Sequence, residues 1–166
     1  MSSPDDEEWL DTREVELLCE RAESEIASGA PGDEAGRLRG LTARVREEWG
    51  ERRPLVRRVW RGAADGLRLA GEPDSAVLLY LEIADALIHG DGPEARAGRL
   101  EIGLRVAECL LPSGELDRAI TAVDSAGRTA AGLPPELAAR VEAVRREVDL
   151  LLAAQLAEEA VRRGRT

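Results

Sequence analysis

Glycine and proline break this chain at an almost even interval. Gly29, Gly50, Gly71, Gly90, Pro112 and Gly132 lie about 20 residues apart. Between the breaks, apolar residues recur with the three- and four-residue spacing of amphipathic helices. A stretch of that length makes a helix of roughly five turns, and the short breaks leave room only for tight loops. Successive helices must then fold back as antiparallel neighbours. No segment alternates as a strand does. The expected fold is all-α, about seven helices in antiparallel hairpins, over a single domain spanning residues 1–166.

The helices are read as follows. Ser3 caps the first, with Pro4 at its first position, and Gly29 stops it. It carries Trp9, Val15, Leu18, Cys19 and Ile26. Asp33 caps the second, which presents Leu38, Leu41, Val45 and Trp49 and stops at Gly50. The third runs from about Arg52 to Ala70, with Leu55, Val56, Val59, Trp60, Ala63 and Leu67 inward. Pro73 opens the fourth, which ends at His89-Gly90, and Pro93 opens the fifth, closed by Pro112. Ser113 caps the sixth, which bears Leu116, Ala119, Ile120, Val123 and Ala126. Pro134-Pro135 opens a long last helix reaching about Arg163.

Composition agrees with this reading. Hydrophobic residues make up 43% and charged residues 34%, which is the balance of a folded chain. There is no Phe, one Tyr and three Trp, so Leu, Ala and Val must build the core. Leu and Ala favour helix, whereas strands draw on aromatic and β-branched residues. Every basic residue is Arg, and Lys and Asn are absent. That pattern fits a GC-rich coding bias, as in a high-GC bacterium. It also lowers the weight of any single Arg as a sign of bidentate recognition.

The formal net charge of −10 argues against a general nucleic-acid or acidic-membrane binder. The charge is unevenly placed. Residues 1–36 hold 2 Arg and 12 acids, residues 37–68 hold 10 Arg and 4 acids, and residues 69–133 hold 5 Arg and 11 acids. One segment therefore opposes the sign of the rest. The acidic start lacks the apolar core of a signal peptide, and no apolar run is long enough to span a bilayer. A cytoplasmic location is expected. Cys19 and Cys109 have no CxxC partner or neighbouring His and read as reduced, buried thiols, with a disulfide left open.

Trp60, Ala63, Ala64, Leu67, Gly71, Ala76, Tyr80 and Ile83 follow a recurring spacing. This pattern resembles a tetratricopeptide repeat, in which small residues let the helices of a hairpin approach and large ones fill the gaps between hairpins. Val106, Ala107, Leu110, Gly114, Ala119, Val123 and Ala126 form a weaker second copy. The resemblance covers about residues 57–130. It departs from the family in three ways: Ala64 and Ala107 stand for the usual Gly, the closing Pro is missing, and the copies are offset by roughly 43 residues where the family has about 34. The resemblance implies an α-solenoid or helical bundle in which the helix over 134–163 caps the last apolar face. The far end of that helix also offers a face to a second chain, as a homodimer through the C-terminal helix.

The resemblance further implies a concave groove lined by the first helix of each hairpin. Carried over by position, its lining residues are Arg58, Arg61, Asp65 and Arg68. The second copy adds Glu101 and Glu108, with Arg105 beside them. Helix geometry groups the first four independently, because a 3, 4, 3 spacing places them on one face. Such a face can clamp a carboxylate-rich segment through charge-assisted bonds. The competing readings are a solvated surface and internal pairing with the acidic first helix.

No catalytic constellation stands beside this one. His89 is the only His, and its place before Gly90 suits contact with free helix-end carbonyls. HExxH, GxSxG and GxxxxGK[ST] are absent, and Gly71-Glu72-Pro73 and Gly90-Asp91-Gly92-Pro93 read as turns. The expectation is a non-enzymatic protein–protein interaction module, a scaffold, adaptor or regulatory partner, with no metal and no cofactor. Its partner-binding residues would be Arg58, Arg61, Asp65, Arg68 and Arg105, and its partner a protein or peptide with an acidic segment, not nucleic acid or membrane. The alternative is a small-molecule or nucleotide-sensing regulatory domain built on an Arg-lined pocket.

Overall fold

The structure, a computed structural model, describes residues 10–30, 32–88, 92–127 and 134–164. Those residues form helices α1 (Thr12–Ala27), α2 (Asp33–Trp49), α3 (Pro54–Leu69), α4 (Pro73–Ile88), α5 (Pro93–Leu110), α6 (Leu116–Gly127) and α7 (Pro135–Arg163). Among the described residues there is no strand, and no helix is long and apolar enough to cross a membrane. The chain falls into two compact units, residues 1–79 and 80–166.

In the first unit α1, α2 and α3 pack against one another. Two glycines set the α2–α3 contact. A Cβ on Gly66 would come 2.5 Å from the Cβ of Ala35, and one on Gly62 would come 2.5 Å from Cδ1 of Leu38. The backbones approach this closely because both positions lack a side chain. The result is that α3 is enclosed: from Val59 to Leu67 every residue but Arg61 is buried. Trp60 is 1% exposed, and its indole N–H donates to the Thr42 carbonyl at 3.0 Å, which gives a buried polar atom its partner. Trp49, expected to face inward, is only half-buried. Arg53 stacks over its ring at 4.4 Å from the centroid and donates to the Thr12 hydroxyl.

Glycine closes the helices where expected at Gly29, Gly50 and Gly71, each with positive φ near 77°. At Gly71 the turn is a Schellman motif, in which Glu72 N–H donates to the Leu67 carbonyl and Gly71 N–H to that of Arg68. Pro73, Pro93 and Pro135 open α4, α5 and α7 as expected, but the starts of α1 and α2 differ. A first helix running on from Ser3 and Pro4 is corrected: Leu10 and Asp11 are not helical, and Asp11 caps Thr12–Ala27 by accepting from Arg13 N–H at 2.7 Å. Ser3, Pro4 and Trp9 themselves lie outside the described residues. Asp33 is the first residue of α2 instead of its cap. The donor at Glu34 is met by the Glu25 carboxylate of α1, at 3.1 Å, in space left open because Gly32 has no side chain.

In the second unit α5, α6 and α7 pack together. Leu100, Leu104, Val106, Ala107, Leu110 and Leu111 are buried with Leu116 and Ala119 of α6 and Val141, Val144 and Val148 of α7. Ser113 does not cap α6. Its hydroxyl donates back to the Cys109 carbonyl, and Gly114 reverses the chain with φ 74° so that Glu115 N–H reaches the Leu110 carbonyl. Gly98 lets Leu87 of α4 lie against α5, and Arg99 donates to the Leu87 carbonyl at 2.6 Å. Cys19 and Cys109 are free thiols, both buried.

Candidate functional site

The face of α3 holding Arg58, Arg61, Asp65 and Arg68 lies beside α1. The acidic first segment and the basic third helix are joined there by a fork of two charge-assisted bonds: Arg58 Nε and Nη2 donate to the two oxygens of Glu23 at 2.6 and 2.7 Å. The Glu23 side chain is 51% exposed and that of Arg58 is 36% exposed, so the pair sits at the solvent boundary. The hydrogen bond from Arg58 holds Glu23 below its ordinary carboxylate value, with the charges of Arg58 and Arg61 adding to the effect. The same bond raises Arg58 further above its ordinary value.

The rest of the face is not uniform. Arg61 is half-buried and has a polar or electrostatic interaction of its own. Asp65, expected to point into an open groove, is instead buried, and it too is engaged. Of the eleven residues from Val59 to Leu69, eight are buried and Arg61, Arg68 and Leu69 are half-buried. Arg68 is half-buried, and its Nε is buried without a hydrogen-bond partner among the described residues. Beneath Arg58, burial pushes the Cys19 thiol from 9.0 up to about 11, with the Arg58 charge acting in the opposite sense. Cys19 is therefore an inert thiol at neutral pH.

Arg105, Glu101 and Glu108 form a separate cluster in the second unit. Arg105 meets Glu108 at 3.2 Å, one turn along α5. Arg140 of α7 reaches Glu108 at 3.1 Å and Glu101 at 3.8 Å. The face of α5 read as groove lining is thus partly covered by the last helix of the same chain. Arg140 was not part of the sequence-based set, because its role depends on α7 lying along α5.

A second set of arginines was also outside that reading. A groove of about 670 Å³ between α1 and α2 is lined by five apolar residues, Leu10, Val15, Leu17, Leu18 and Leu41, by Arg21, Arg37 and Arg44, and by two acids, Asp11 and Glu14. Glu34 pairs with Arg21 and Arg37, and Glu48 with Arg44. Arg37 and Arg44, seven residues apart on α2, share a face, but Arg21 comes from α1, so nothing in the sequence groups all three. Among the described residues no three His, Cys, Asp or Glu side chains converge as metal ligands, and His89 lies outside those residues. Comparison with protein-family models, curated proteins and solved structures finds no significant match for this chain.

Proposed function

We propose that this chain is a non-enzymatic protein–protein interaction module, a scaffold, adaptor or regulatory partner, that receives an acidic segment at the α1–α3 face. The observation that carries the reading is the Arg58–Glu23 fork. Arg58 already holds a helix-borne carboxylate in bidentate geometry, at the solvent edge, with Arg61 adding to the field on that carboxylate. A partner's Glu or Asp presents the same group and can take the place of Glu23. Arg68, one helix face further along, extends the row. Arg105 would serve a distinct contact in its own unit. The proposed setting is cytoplasmic, with no cofactor and no catalytic role.

The tetratricopeptide-like reading of residues 57–130 belongs to the same proposal. In its support, Trp60, Ala63, Ala64, Leu67, Ala76, Tyr80 and Ile83 are all buried, as are Val106, Ala107, Leu110 and Ala119 of the second copy. Gly71 and Gly114 occupy equivalent places, each turning the chain with positive φ after a helix.

The test is capture from host lysate by wild type, by Glu23→Gln and by a variant with Arg58, Arg61 and Arg68 all changed to Glu. Glu23→Gln removes the internal competitor and should strengthen capture. The triple variant should lose it, and added salt should weaken it. Deleting the whole first helix is not a usable control, because Val15, Leu18, Cys19 and Ala22 of α1 are core residues. If the folded triple variant keeps every partner at unchanged affinity across salt, the face is only a solvated surface.

A second reading rests on the α1–α2 groove. Its volume suits a small ligand, and Arg21, Arg37 and Arg44 around an apolar floor suit an anionic one. This is the small-molecule or nucleotide-sensing alternative. Thermal shift with a panel of phosphorylated metabolites tests it, and a shift that Arg37→Ala abolishes would favour it over the peptide reading.

A further inference from the structure

The C-terminal half of α7 carries apolar side chains that the described residues leave exposed. As a 29-residue helix, α7 is about 44 Å long, against about 27 Å for α5 and 18 Å for α6. Its buried residues, Val141, Val144 and Val148, all lie in the first half. From Asp149 to Arg163 every residue but Glu159 is exposed. Leu152 is 37% exposed and Leu156 57%.

One face of that exposed half is complementary to itself. Asp149, Leu152, Leu156, Ala160 and Arg163 are spaced 3, 4, 4, 3, which places them on one side of the helix. The spacing reads the same in both directions and the charge reverses across it: acid, large apolar, large apolar, small apolar, base. We propose that this face docks on the same face of a second copy, antiparallel, with a two-fold axis at Leu156. Leu156 then meets the partner's Leu156, Leu152 packs over the partner's Ala160, and Asp149 pairs with the partner's Arg163 at both ends. Arg163 keeps its own Glu159 within reach at 3.1 Å. An interface of this symmetry repeats each contact twice. The parallel arrangement sets Asp149 against Asp149 and Arg163 against Arg163, and like charges facing across a helix pair oppose it. Leu150, Leu151 and Val161 lie off this seam and take no part in it.

The seam is short, about 21 Å over 14 rises, which puts it in the small class of interfaces. Association should therefore be weak, with Kd in the range of about 1–500 µM. It is independent of the Arg58 face, so either proposal can fail alone.

The experiment is sedimentation velocity of the full chain over that concentration range, with far-UV circular dichroism confirming that each variant keeps its helices. Wild type should shift from monomer to dimer. Leu156→Glu, which puts two carboxylates on the axis, should leave only monomer. Asp149→Arg and Arg163→Asp should each weaken dimerisation by about tenfold, and the double variant Asp149→Arg/Arg163→Asp should restore it. A wild type that stays monomeric throughout overturns the proposal. So does a dimer that Leu156→Glu leaves intact, or a folded double variant no better than its two single parents.

Discussion

Helices α3 and α7 are built from the same apolar vocabulary and end in opposite situations. Helix α3 is enclosed almost all round, while α7 buries three valines in its first half and exposes Leu150, Leu151, Leu152, Leu156 and Val161 beyond them. Hydrophobicity does not separate them. Side-chain size at the contact and the length of the neighbours do. Gly62 and Gly66 let α2 come close enough to cover α3, and α2 matches α3 in length, at 17 residues against 16. The helices beside α7 are too short to follow it to its end.

The contrast predicts a graded set of effects. The largest should come from Trp60→Ala, which empties the enclosed side of α3 and leaves the Thr42 carbonyl without its donor. A loss of about 3–5 kcal/mol is expected, read by denaturant unfolding and by the exchange protection of the α1–α3 amides. Gly66→Ala comes next. The new methyl meets the Ala35 Cβ and backbone, neither of which can rotate away, so overpacking of about 1–3 kcal/mol outweighs the helix propensity gained. Adding Ala35→Gly should recover most of it. Gly62→Ala should be milder, because it meets only the terminal methyl of Leu38. If Gly66→Ala stabilises the chain, the account of why α3 is enclosed is wrong.

The Arg58–Glu23 pair should rank below these, at about 0–1 kcal/mol, because both groups reach solvent. Its pH dependence has a definite sign. Glu23 is held below its ordinary value of 4.5 in the folded state, so its stabilisation is fully present above that value. It is lost as pH falls below 4.5 and through the lowered folded value. The stability difference between wild type and Glu23→Gln should therefore shrink under acid titration, and a difference that grows would refute the assignment. The smallest effect should be Leu150→Ala on α7. Leu150 is 68% exposed and lies off the proposed seam, so the change should stay within about 0.5 kcal/mol in a thermal melt.

Much of this architecture can be read from the sequence because it rests on local rules. Helix ends at Gly29, Gly50 and Gly71 need positive φ, and glycine marks them. The 3, 4, 3 spacing places Arg58, Arg61, Asp65 and Arg68 on one side of α3 before any packing is known. What escapes is whatever depends on a distant segment. Trp49 and Trp60 have equally good helical spacing, yet only Trp60 is fully buried. Asp65 shares the Arg face by spacing but is buried by neighbours. Glu23 as the counter-charge of Arg58, and Arg140 as that of Glu108, follow from helix packing across 35 and 32 residues. Ser113 has a cap's chemistry but bonds backward, because Gly114 has already reversed the chain.

The way α2 begins has a consequence for engineering the chain. The Glu34 N–H in its first turn is closed by Glu25, a side chain of the preceding helix, through the space over Gly32. That bond ties the number of residues between Glu25 and Glu34 to the distance it spans. A spacer, protease site or tag inserted there would pull the carboxylate away from the donor it serves. The turn over 111–115 is closed by backbone bonds and by the Ser113 hydroxyl, each bond joining residues no more than five apart. The 111–115 turn is therefore a better place to open the chain for an insertion than the stretch between Glu25 and Glu34.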